Sequence, residues 1–212
     1  IALSINPTLQ GQNKSDWDLK DSEVSPKDRE FMQLKLEEAS DYTRAGEYEK
    51  AIGSLHEYRT RASSIGHLES YKRAVRGLGN MYALMLFSSN RPEYSEKAIR
   101  FLQEYLELTT IEEDPREYAS VQNDLGESYF RLSFYRDKLE NLRLAIAAWQ
   151  EAFVYYESLK EFQKVNFIRM NIGRAHNALA LAGGGPKHYR QAIEHFKFLL
   201  NNLKFGFNAQ FY

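Results

Sequence analysis

The pair Ala-Ile recurs at Ala51-Ile52, Ala98-Ile99, Ala145-Ile146 and Ala192-Ile193, each 47 residues after the one before. Four places after each Ala stands a large apolar residue: Leu55, Leu102, Trp149 and Phe196. Seven places after it come Tyr58, Tyr105, Ala152 and Leu199. Steps of three, four and seven residues put these side chains on one stripe of a helix. A second set keeps the same period ahead of them: Leu78-Gly79-Tyr82, Leu125-Gly126-Tyr129 and Ile172-Gly173-His176. Each period therefore reads as two amphipathic helices. A single such hairpin cannot cover its own apolar face, so units at a fixed period have to stack and bury one another.

Punctuation along the chain agrees. Ser25-Pro26-Lys27-Asp28 and Asp114-Pro115-Arg116-Glu117 each place a capping side chain first, Pro at the first helical position and an acid three residues past the cap. Pro92 and Pro186 sit where later helices begin, and Gly46, Gly66 and Gly183 follow helical runs and suit left-handed C-terminal caps. The expected helices span about 26–44, 47–64, 67–87, 92–110, 115–133, 138–159, 161–182 and 187–203. Residues 1–25 read as an irregular N-terminal arm, with Ile1, Leu3 and Ile5 alternating as in a short extended segment. Residues 204–212 read as an aromatic tail carrying Phe205, Phe207, Phe211 and Tyr212. Such a tail either folds back on the last hairpin or meets a domain or partner that covers the end of the stack.

The Leu-Gly-Tyr set on the first helix and the Ala-aromatic-Ala set on the second resemble the tetratricopeptide repeat, whose unit averages about 34 residues. The local match is closest over Asp41 to Ile52, where Gly46 and Ala51 lie at that family's usual offsets. The resemblance covers residues 26–203, with Ala39 in the first unit's Gly position and His176 in the last unit's Tyr position. Three units are lengthened, with 19 residues from Gly79 to Ala98 against 12 from Ala39 to Ala51. Long units look like bacterial arrays that accompany CHAT-type proteases or signalling domains. The resemblance implies an all-α, right-handed superhelical solenoid of about four antiparallel helix hairpins. It also implies a non-enzymatic scaffold or adaptor that binds a protein or peptide in a concave groove. Two alternatives are a regulatory segment of a larger signalling or CHAT-protease assembly, and a structural subunit that forms homo-oligomers through its C-terminal end.

In such an array the first helix of each hairpin lines the groove. If Leu78 and Tyr82 face the core, helical geometry turns Arg73, Arg76, Asn80 and Ala83 inward. The same offsets select Ser120, Asn123, Glu127 and Phe130 in the next unit, and Phe167, Met170, Arg174 and Asn177 in the last. Asn pairs with backbone donors and acceptors alike, and Arg grips carboxylates, which suits an extended peptide. Arg76 and Asn80 resemble half of the carboxylate clamp of chaperone-binding tetratricopeptide domains. Asp124 and Phe167 break that pattern, so a chaperone adaptor is not expected.

Other chemistry is scarce. The five histidines, His56, His67, His176, His188 and His195, include no i, i+4 pair and no HExxH, so no metal is expected. Gly183-Gly184-Gly185-Pro186-Lys187 lacks the spacing and the preceding strand of a phosphate loop and reads as a turn. No GxSxG and no triad is present, so neither enzyme activity nor a cofactor is expected. The chain has no cysteine, which removes disulfides and thiol chemistry. A net charge of −1 argues against nucleic acid. At 43% hydrophobic and 27% charged the composition is that of a water-soluble domain, and no run reaches the length of a membrane span. A cytoplasmic protein is expected, with a periplasmic one after signal cleavage as the alternative; Ile1 is expected to follow a trimmed or processed start.

Overall fold

The computed structural model describes residues 17, 19–88 and 91–208, with side chains for 17, 19–86 and 91–201. The expected extended segment at Ile1, Leu3 and Ile5 lies outside them, as do Phe211 and Tyr212. Eight helices follow in order: α1 (Pro26–Arg44), α2 (Tyr48–Ser64), α3 (Leu68–Ser88), α4 (Pro92–Leu108), α5 (Pro115–Leu132), α6 (Lys138–Ser158), α7 (Phe162–Leu179) and α8 (Pro186–Asn208). No strand occurs among the described residues. Each helix packs on the next, and α3 also touches α5 directly. The result is an all-helical chain of adjacent pairs.

The helix starts are built as their residues dictate. Ser25 Oγ accepts from the Asp28 amide at 3.1 Å, and Asp114 Oδ1 accepts from the Glu117 amide at 2.9 Å. Gly46 and Gly66 adopt φ of 74° and 70° at the ends of α1 and α2. Residues with a Cβ disfavour that left-handed conformation, so Gly terminates both helices cleanly. Helix α8 runs to Asn208, past the expected end at 203. Ahead of α1, Trp17 packs on Tyr71 at 4.6 Å between ring centroids, and the Leu19 amide donates to the Gly66 carbonyl.

Most of the periodic residues form the core. Ala51, Ala98, Ala145 and Ala192 are all buried, as are Leu55, Leu102 and Trp149. The glycines explain how closely the helices approach. A Cβ on Gly79 would lie 2.7 Å from Leu102, one on Gly126 2.5 Å from Trp149, and one on Gly173 2.9 Å from Phe196. In each later hairpin the large residue of the second helix is thus pressed against bare backbone of the first. That contact is why Gly and a bulky residue recur together at one spacing.

Polar groups also cross between hairpins. Glu104 on α4 is almost fully buried and accepts from Tyr71 Oη of α3 at 2.7 Å and Arg59 Nη2 of α2 at 2.8 Å. The Arg59 guanidinium lies 5.0 Å from the Tyr71 ring centroid and 5.6 Å from that of Phe101. Burial and the neighbouring Glu104 carboxylate raise the Tyr71 phenol well above its ordinary range. One acid so ties three successive helices together.

Candidate functional site

The residues selected as groove-lining divide into three groups. Arg76, Asn80 and Ser120 come together across α3 and α5. Arg76 pairs with Glu117, donates to Asn80 Oδ1 and to Ser120 Oγ at 3.0 Å, and lies 3.0 Å from an Asp124 oxygen. Its donors are therefore engaged within the fold. Burial holds the Asp124 carboxyl above its ordinary range, against the pull of the Arg76 charge. Asn123 donates to Asp124 at 3.4 Å, and Glu127 pairs with Arg131 one turn on at 2.7 Å.

Phe130 departs from expectation. It is buried, 5.7 Å between ring centroids from Trp149 and 5.2 Å from Phe134. An aromatic ring beside the Trp149 indole gains more from that apolar pocket than from a solvated wall. The Arg174 guanidinium from α7 covers the Phe130 ring at 5.0 Å and donates to Asn171 Oδ1 at 3.2 Å.

Four residues remain open. Arg73 is exposed and has no ion-pair partner among the described residues, while Phe167, Met170 and Asn177 are exposed on α7. Arg73 lines a depression of about 380 Å³ with Glu69, Lys72 and Arg76 of α3, facing Glu113 and Asp114 at the turn between α4 and α5. Lys72 is held there by Glu113 at 2.9 Å and Glu69 at 3.3 Å. Arg73 is left as the cation in the depression without a carboxylate of its own.

A second cluster had no sequence signal. His176 on α7 meets His188 and His195 on α8, with ring centroids 5.2 Å and 6.0 Å away. His176 Nδ1 and His188 Nδ1 stand 3.0 Å apart, so one ring donates and the other must accept as a neutral imidazole. Burial, then repulsion from His188, His195 and Lys187, lowers His176 to about 4. His195 is lowered by burial and Arg169, with Glu194 opposing. Among the described residues no group of three side chains has the arrangement to hold a metal ion.

Since the folded His176 pKa lies below its unfolded value near 6.5, the unfolded chain binds the proton more readily between those limits. Stability from this group is complete above about pH 6.5 and is lost as pH falls toward about 4, on the order of 2–3 kcal/mol. Urea unfolding of the wild type and of His176→Phe across that window checks this. The variant should show a flatter dependence.

No family model matches the chain. No curated protein matches it either. The geometry of the helices and of these clusters is therefore the basis for any reading of function. No helix among the described residues is long and apolar enough to cross a membrane.

Proposed function

We propose that the chain is a non-catalytic binding module for an extended peptide or partner segment. The peptide lies along α3, α5 and α7 as in the tetratricopeptide arrays it resembles, whose right-handed superhelix turns these helices to the inner wall. The observation that carries this reading is the pairing of one uncommitted cation with an exposed apolar surface farther along. Arg73 offers a guanidinium over a depression, and Phe167, 52% exposed, stands beside Met170 on α7. A suitable ligand carries a carboxylate for Arg73 and an apolar side chain for Phe167. Arg76 supports the wall and does not read the ligand, because its donors are already engaged. A binding role also fits Arg59, Tyr71 and Glu104, which are engaged with one another across hairpins, and Asp124, which is engaged with Arg76.

The test is selection of a phage-displayed random peptide library on the immobilised chain, then fluorescence anisotropy with the selected peptides. Arg73→Ala and Phe167→Ala should each weaken binding about tenfold, the equivalent of about 1.4 kcal/mol. Failure to select any peptide, or affinities unmoved by both variants, would reject the groove.

A further inference from the structure

Helices α1 and α8, the outermost among the described residues, carry faces that are largely covered at the equivalent positions of the other units. At the C-terminal end, Ile193 of α8 occupies the position of Ile52, Ile99 and Ile146, which are at most 9% exposed; Ile193 is 50% exposed. Tyr189 stands where Ser95 and Leu142 are buried, yet it is 42% exposed. Leu200, 57% exposed, takes the place of Arg59 and Phe153. Both of those touch the helix that follows: Arg59 donates to Tyr71 on α3, and Phe153 lies under Arg169 of α7.

The N-terminal end shows the complementary half. Aligning Ala39 with Gly79 puts Leu34 where Ala74, Val121 and Ile168 are at most 1% exposed, and Leu34 is 49% exposed. Phe31 takes the place of Tyr71, the residue that meets Arg59, and is 36% exposed. A Cβ on Gly77, one turn on from Ala74, would lie 3.1 Å from Leu55 of α2. This face of a first helix is therefore the one that docks on the preceding second helix. Charges of both signs flank the two faces: Glu30, Glu37 and Lys27 are exposed on α1, and Arg190, Lys197 and Glu194 on α8.

We infer that the chain associates head to tail with a second copy of itself, α1 of one copy docking on α8 of another as α3 docks on α2. Leu200 then meets Phe31 of the second copy in the register in which Arg59 meets Tyr71, and Leu34 and Ile193 are covered at different points along the same antiparallel contact. Two different faces are used, so each added copy leaves one of each open. The contact is heterologous, and association proceeds beyond a dimer as concentration rises. Burial of these apolar side chains drives it, and the difference between the two faces sets direction. It is independent of the peptide groove, which lies on other residues.

Sedimentation velocity of the 212-residue chain from micromolar to near-millimolar concentration tests this. The average mass should rise past that of a dimer. Leu34→Glu and Ile193→Glu change exposed positions, and thermal melting confirms that both remain folded. Each alone should raise the concentration needed for association at least about tenfold. Mixed in equal amounts they should form a dimer and stop there, since each retains the face the other lacks; a chain carrying both changes should stay monomeric. A monomer at every concentration would overturn the proposal, and is the result expected if the chain's own terminal segments occupy the faces. A dimer indifferent to Leu34→Glu, or a mixture that does not pair, would overturn it as well.

Discussion

Replacing Trp149 by Ala should destabilise the chain by about 3–5 kcal/mol, the cost of emptying a fully buried large aromatic site. Trp149 is completely enclosed, with Phe130 against one side and the bare backbone of Gly126 against another. Its Nε1 has no hydrogen-bond partner among the described residues, so Trp149→Phe keeps most of the packing and should cost far less. The same contact predicts that Gly126→Ala is harmful, by about 1–3 kcal/mol, because the new methyl would stand 2.5 Å from a rigid indole. In the Trp149→Ala background the methyl enters vacated space and the cost of Gly126→Ala should shrink. Equilibrium unfolding of the two single variants and the double variant measures that coupling. Additive losses would show that the two residues do not press on each other.

That pair also shows what could be read from sequence. Gly126 and Trp149 are 23 residues apart, as are Gly79 with Leu102 and Gly173 with Phe196. A contact demanding the smallest residue on one helix and a large one on the next leaves a mark at each repetition. Pro and capping residues mark helix starts through local chemistry alone, which is why those positions were legible at Ser25 and Asp114. The histidine cluster left no such mark. His176 and His188 meet because α7 and α8 pack across an intervening turn, and no spacing between them encodes that. The Phe130 error has a related cause: helical offset gives a direction, but the width of the apolar stripe depends on what faces it. The residues selected as groove-lining lie on α3, α5 and α7, but which donors stay free depends on pairings across more than 40 residues.

Arg76 is the sharpest case, and removing it should have the second-largest effect. Arg76→Met keeps the apolar stem but leaves Asp124 without its cation, and loss of one member of such a pair costs about 3–4 kcal/mol at neutral pH. Burial already raises the Asp124 pKa, and without Arg76 it rises further. A carboxyl with a folded pKa above its unfolded value is penalised as pH climbs through the folded pKa, and the penalty is relieved below it. The gap between wild type and Arg76→Met should therefore narrow as pH falls from neutral. The acid sensitivity of His176 is common to both chains and cancels in the difference. A gap that stays constant with pH would place the defect in packing. Where Arg76→Met remains folded, peptide affinity should be nearly unchanged while Arg73→Ala loses it, because a guanidinium saturated by Glu117, Asp124, Asn80 and Ser120 has nothing left to offer a ligand.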